Sequence, residues 1–159
     1  MQDQELPLEG PTQTLVCAFR WWLTAERDRD PSASNRARIE LSRLLGAPRA
    51  CVVLALFDVM VRAVARHAAR TIRVHPPWCQ ATTPDEALLL SLAGACQAGE
   101  WRWCKAVVGI LTTPEGEESV LAAANDLGQS LLNAGVALPR PCESCASPSL
   151  HSLRVVTLH

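Results

Sequence analysis

Cysteine and histidine are the residue types in this sequence with the clearest capacity for chemistry. Two of the seven cysteines form the motif Cys142-x-x-Cys145 in a segment rich in proline and serine. His75 and Cys79 form a second cluster, which the intervening prolines keep out of a helix. Zinc takes four such ligands, usually from two short clusters. These residues are candidate ligands of a structural zinc, with Cys79, Cys142 and Cys145 joined by His75 or His151 as the fourth ligand. The alternative is a C-terminal tail in which the two cysteines bind nothing.

The same thiols allow two other kinds of site. Cys79 together with the C-terminal cysteines could form a thiol- or metal-dependent redox sensor or enzyme, but no catalytic sequence signature surrounds it, so we assign no catalytic residue. An iron–sulfur cluster would need Cys96 and Cys104. Both fall on apolar helix faces, and free cysteine is among the most buried residue types. We therefore predict that these two, and also Cys17 and Cys51, belong to the core.

Length and composition restrict the class of protein. The 159 residues suit one domain, and 48% hydrophobic against 19% charged residues excludes an intrinsically disordered chain. A net charge of −1 excludes a polycation. The odd number of cysteines and an acidic N-terminus without a signal peptide predict a reducing, cytoplasmic location. The longest apolar stretch, residues 50–61, is too short to span a membrane.

Helical periodicity along the chain predicts an all-α fold. We expect a compact bundle of five to six helices over residues 12–138, preceded by a flexible tail at 1–11 and followed by a cysteine-containing tail at 139–159. The clearest local signal is the segment from Thr83 to Glu86, a capping box with proline at the first helical position, which opens the fourth helix. Apolar residues recurring at helical spacing predict the other helices.

The third predicted helix, from Pro48 to about residue 69, begins with an apolar half. Residues 51–61 are apolar on all sides except for Asp58, and a helix of that kind is normally the buried centre of a fold. We therefore predict that this half is the most buried element. Arg62 follows Asp58 by four residues, a spacing that favours an ion pair on the same helix face.

Arginine and tryptophan residues are the candidates for an interaction surface. Arg62, Arg66 and Arg70 form a predicted exposed ridge, and Trp21 and Trp101 are expected to be partly exposed, as in interface hot spots. Residues 20–73 hold eleven arginines against five acids, which allows an alternative role as a nucleic-acid-binding regulator. The helix that would read the groove is the most hydrophobic in the chain, so we expect no sequence-specific nucleic-acid binding.

The segment Cys79-Gln-Ala-Thr-Thr-Pro-Asp-Glu-Ala-Leu-Leu-Leu resembles part of an uncharacterised family of small helical proteins from alphaproteobacteria, which carry cysteines before a Thr-x-Asp-Glu helix start. The resemblance implies a bacterial cytoplasmic protein and no known activity. The present chain departs from that pattern, because it has one cysteine before the cap and adds the pair at 142 and 145.

The features together predict a non-enzymatic, cytoplasmic helical adaptor or regulatory protein, with a zinc site as its only cofactor. We expect a protein partner and no membrane insertion. The redox alternative and the nucleic-acid alternative stay open at this point, and the oligomeric state does not follow from the sequence.

Overall fold

The computed structural model describes residues 10–139, which form six α-helices and one 3₁₀ turn. The prediction of an all-α fold is confirmed. The only β-type pairing in this range is an isolated bridge between Ala68 and Thr112. None of the helices between residues 10 and 139 combines the length and apolarity needed to cross a membrane. The elements are α1 (Gly10–Asp28), α2 (Pro31–Leu45), α3 (Ala47–His67), α4 (Pro84–Ala98), α5 (Trp101–Leu111), the 3₁₀ turn (Pro114–Gly116) and α6 (Glu117–Asn133).

Local signals account for several helix ends. The capping box at the start of α4 is present, with Thr83 and Glu86 exchanging side-chain and backbone hydrogen bonds. Gly99 ends α4 in the left-handed conformation, which glycine adopts without steric cost. Asp30 caps the start of α2: Pro31 occupies the first helical position, and the Asp30 carboxylate accepts a hydrogen bond from the Ser32 N–H.

The order of packing places α6 at the centre of the bundle. α1 packs against α2, and α2 packs against α3. α6 contacts α3, α4 and α5, and its inward residues include the fully buried Val120, Ala124 and Leu131. Residues 68–83 connect α3 to α4 as an irregular loop that contains no helix. This loop crosses one end of the space between α1 and the rest of the bundle.

The prediction that residues 51–61 are the most buried element is wrong. The inner face of α3 is buried through Val53, Phe57 and Met60, but Val52 and Val59 are 52% and 50% exposed. α3 lies at the periphery, where α2 and α6 cover only one side of it. A helix that is apolar on all sides favours burial. Its sequence does not determine how many other helices pack around it.

Candidate functional site

A buried ion pair joins the middle of α1 to the start of α4. The Arg20 guanidinium donates two hydrogen bonds to the Glu86 carboxylate, from Nε to Oε1 at 2.6 Å and from Nη2 to Oε2 at 2.8 Å. The side chains are only 4% and 2% exposed. A bidentate contact of this kind uses the planar fork of arginine and holds both groups in one geometry. The pair therefore locks α1 and α4 together at the loop end of the bundle.

The same two residues also organise the loop. Arg20 donates to the carbonyl oxygens of Cys79 and Ala81, both at 2.6 Å. Glu86 accepts a further hydrogen bond from the Thr83 N–H at 2.9 Å, and the Thr83 hydroxyl donates to the Arg73 carbonyl at 2.7 Å. Within the described range, the side chains of Arg20 and Glu86 thus form hydrogen bonds only with each other and with backbone groups of the loop. The pair therefore serves as a rigid anchor for residues 73–83.

Asp85 forms a second, less buried link between the loop and α4. Its carboxylate accepts a hydrogen bond from Arg70 Nη2 at 2.6 Å and one from the Arg73 N–H at 2.7 Å. Burial raises the pKa of Asp85, but the hydrogen bonds and positive charges of Arg70 and Arg73 outweigh it and lower the pKa below the usual 3.8. The carboxylate is therefore ionised at neutral pH and stabilises the fold in that form.

This lowered pKa predicts a specific dependence of stability on pH. A carboxylate whose pKa is lower in the folded protein contributes stability above the unfolded pKa and loses it as pH falls through the folded pKa. We expect Asp85→Asn to reduce the free energy of unfolding by about 1–3 kcal/mol at pH 7, since it weakens charge-assisted hydrogen bonds. The difference from the unmodified protein should shrink below about pH 4, as urea denaturation at several pH values would show. A difference that stays constant as the pH falls from about 4 through the lowered pKa of Asp85 would contradict this role of Asp85.

Next to the Arg20–Glu86 pair lies a large apolar cleft between α1 and the other helices. Its volume is about 810 Å³, and its walls come from α1, α3, α4, α6 and the loop. The walls are mainly aliphatic and aromatic. Residues that define them are Leu15, Phe19 and Leu23 of α1, Phe57, Met60 and Val64 of α3, Leu89, Leu90 and Ala93 of α4, and Leu127 and Leu131 of α6.

The rim of the cleft is polar, and the loop contributes an exposed aromatic ring. Arg27, Asp28 and Asp30 border it at the end of α1, and Arg70 borders it from the loop. Trp78, which also lines the cleft, is 78% exposed and is the most exposed of the large hydrophobic residues in the described range. An apolar interior with a polar rim is the usual form of a small-molecule site.

The predicted zinc ligands are only partly within the described residues. His75 and Cys79 lie on the loop, both half-buried, while Cys142, Cys145 and His151 lie outside the described range. Between residues 10 and 139, no group of three or more histidine, cysteine, aspartate or glutamate side chains is arranged to hold a metal. Cys79 shares a cavity of about 170 Å³ with Cys17, which sequence reasoning placed in the core. Zinc binding stays a prediction.

The structure separates the predicted arginine ridge. Arg62 and Arg66 are exposed on α3, and Arg62 forms the expected ion pair with Asp58 at 2.8 Å. Arg70 lies beyond the end of α3, and its side chain is 28% exposed because it contacts Asp85. Arg70 is thus a structural residue of the loop. The three arginines do not form one continuous helical ridge, since α3 ends at His67.

The two predicted interface tryptophans have different surroundings. Trp101 is 48% exposed at the start of α5, in agreement with the expectation of partial exposure. Trp21 is half-buried, and the Arg36 guanidinium lies 4.7 Å from its ring centroid, a cation–π contact that links α1 to α2. Whether either residue contacts a partner stays a prediction.

The described cysteines are free thiols in different environments. Cys96 and Cys104 are buried as predicted, with their sulfur atoms 3.6 Å apart. Burial raises the pKa of Cys96 to about 12, and contact with the Cys104 thiol adds to this shift, so Cys96 is a neutral thiol at pH 7. The core prediction is wrong for Cys51, which is exposed on the outer side of α3, and Cys17 is half-buried.

Sequence reasoning missed the buried ion pair and the cleft. Arg20 was counted only as one of the basic residues of the N-terminal half, although it lies among the apolar residues Phe19 and Trp22 of α1. An arginine in that position is a signal for a buried partner, since arginine is almost never fully buried unpaired. The capping box alone accounts for a glutamate at position 86, so this motif gave no reason to expect that Glu86 also binds Arg20. No sequence pattern indicated the cleft.

Comparison with known proteins identified no relative of this chain. No protein-family model, curated protein or solved structure matches the chain. The resemblance to small alphaproteobacterial proteins therefore stays a prediction. The class that the fold defines is a small all-α bundle with an apolar cleft.

Proposed function

We propose that this chain is a non-enzymatic regulatory protein that binds an elongated apolar ligand, such as a hydrocarbon-chain amphiphile, in the cleft between α1 and the other helices. The observation that carries the proposal is the apolar cleft of about 810 Å³ with a polar rim. Small-molecule sites have volumes of about 300–1,000 Å³, are mainly apolar and bear a few polar groups that orient the ligand.

The volume favours a small molecule over a helical segment of a protein. A helix of ten residues is about 15 Å long and at least 10 Å wide with its side chains, which corresponds to roughly 1,200 Å³. That exceeds the 810 Å³ of the cleft, so a helix could place only one of its faces there, whereas a small molecule could be enclosed. A single hydrocarbon chain would lie against the apolar walls, with its polar end near Arg27 and Arg70, which also line the cleft.

The chemistry of the surrounding groups supports binding without catalysis. Arg20 and Glu86, which border the cleft, are committed to each other and to backbone groups of the loop. Asp85 is likewise committed to Arg70 and Arg73. A general acid or base has to reach a proton on the substrate, whereas these groups hold the walls in place. A preformed apolar site needs such rigid walls, because ordering them on binding would reduce affinity.

Binding of dansyl-undecanoic acid to the full chain tests the proposal. Trp21 and Trp78 line the cleft, so energy transfer from tryptophan to the dansyl group reports occupation. We expect saturable binding to the unmodified protein. Leu90→Trp should weaken binding at least about tenfold, since the indole would fill the cleft from α4.

Leu88→Trp is the matched control. Leu88 lies on the same helix, is half-buried like Leu90 and does not line the cleft. This variant should bind the probe like the unmodified protein. Equal weakening by the two substitutions, or no saturable binding to the unmodified protein, would refute the cleft as a ligand site. Circular dichroism of both variants would verify that they retain the helical fold.

The proposed location is the cytoplasm, and a structural zinc remains part of the hypothesis. The five described cysteines are free thiols, which is consistent with a reducing compartment. Cys79 is the zinc ligand that the anchored loop would offer, because Arg20 holds its carbonyl group. A half-buried thiol on a fixed loop is a suitable first ligand, and Cys142 and Cys145 would have to supply the next two.

A further inference from the structure

The outer side of α3 carries a row of exposed residues with heptad spacing. Pro48, Val52, Ala55 and Val59 are separated by four, three and four residues, and all are exposed. Continuing the same steps leads to Arg62 and Arg66, which are also exposed; we name these six residues the α3 seam. Apolar residues at this spacing are the contact surface by which one helix packs along another.

Positive charge lies near both ends of the seam, from Arg49 beside Pro48 and from Arg66. α3 contains three arginines, Arg49, Arg62 and Arg66, against one acid, Asp58. Asp58 is paired with Arg62. Among residues 10–139, Arg49 and Arg66 take part in no ion pair. A partner with acidic residues beside its apolar row would therefore complement the seam, since charges that flank a helix contact decide which helices pair.

A second copy of the same chain fits this surface poorly. In a parallel arrangement, Arg62 and Arg66 of one copy would face the same arginines of the other. In the antiparallel register that places Val52 opposite Val59, Arg62 would face Arg49. Both arrangements oppose like charges, which is unfavourable across an interface.

We propose that the α3 seam binds an acidic amphipathic helix of another protein. The partner helix would place apolar side chains against Val52, Ala55 and Val59, and carboxylates near Arg49 and Arg66. Contacts between arginine and carboxylate groups would fix its direction and register. This inference concerns the opposite side of α3 from the cleft and does not depend on ligand binding there. It explains why α3 keeps an apolar row on its exposed side.

Protection of Cys51 provides a site-specific test on the full chain. Cys51 is exposed on α3 next to Val52, so a bound helix should cover it. The probe is a synthetic three-heptad peptide with leucine at the two core positions and glutamate at the flanking positions. We expect this peptide to slow alkylation of Cys51 by iodoacetamide severalfold, measured by mass spectrometry. The same peptide with lysine in place of glutamate should not protect it.

Substitutions test whether peptide binding depends on the seam or on exposed residues in general. Val52→Glu and Arg66→Glu should each weaken peptide binding about tenfold in fluorescence anisotropy. Ile39→Glu, at a comparably exposed apolar residue on α2, and Arg102→Glu on α5 are matched controls that should bind normally. Equal protection by the lysine peptide would overturn the proposal. So would protection by vesicles of phosphatidylserine and phosphatidylcholine, or a Cys51 already unreactive in the free chain.

Discussion

Replacing Glu86 with alanine is expected to reduce the free energy of unfolding by about 3–5 kcal/mol. The substitution leaves the Arg20 guanidinium, 4% exposed, without its counter-charge in the interior. It also removes the acceptor of the Thr83 N–H and so breaks the capping box of α4. Urea denaturation followed by circular dichroism measures the loss. Several kilocalories per mole is a large part of the stability of a small domain.

A double substitution tests whether Glu86→Ala destabilises the protein through the unpaired charge of Arg20 or through lost packing. Arg20→Met combined with Glu86→Leu removes both charges, and buried ion pairs replaced by apolar residues often lose little stability. We expect the double variant to be more stable than Glu86→Ala. Its loop should nevertheless be cleaved faster by proteases, because Arg20 no longer binds the carbonyl groups of Cys79 and Ala81.

An exposed ion pair supplies the control for these measurements. Arg43 and Glu40 contact each other at 3.4 Å on the surface of α2. Arg43→Ala should change stability by less than about 1 kcal/mol, as is typical of solvent-exposed pairs. If Glu86→Ala were no more damaging than Arg43→Ala, the anchoring role assigned to the Arg20–Glu86 pair would be incorrect.

Gly128→Leu is expected to destabilise the protein by about 3 kcal/mol or more. A β-carbon at Gly128 would lie only 2.7 Å from the carbonyl oxygen of Ala93, so α6 and α4 would have to move apart. The two helices form part of the core and also two walls of the cleft. Thermal unfolding measures the effect, and overpacking at a backbone contact cannot be relieved by turning a side chain.

Gly109→Leu is the matched control for that substitution. Gly109 lies within α5, is exposed and has no atom within 4 Å of an added β-carbon. Leucine favours the helix over glycine by roughly 0.5–1 kcal/mol, so this variant should be slightly more stable than the unmodified protein. A destabilising Gly109→Leu, or a neutral Gly128→Leu, would show that the close contact between α4 and α6 does not limit the size of the side chain at position 128.

Features that involve only neighbouring residues were predictable from the sequence. The all-α class follows from helical periodicity. The start of α4 at Pro84 follows from the capping box, and its end at Ala98 follows from Gly99. The ion pair between Asp58 and Arg62 follows from their spacing on one helix. Each of these features involves atoms within about one turn of the chain, where spacing alone fixes geometry.

Which helix faces are covered depends on tertiary packing and was not predictable from the sequence. α3 is apolar on all sides, yet it lies at the edge, while the central helix is α6, whose sequence contains more polar residues. The pairing of Arg20 with Glu86 joins residues 66 positions apart, and the cleft is lined by residues of four helices and the loop. Periodicity specifies the faces of a single helix, whereas burial depends on which elements meet, and that is settled by the packing of the whole chain.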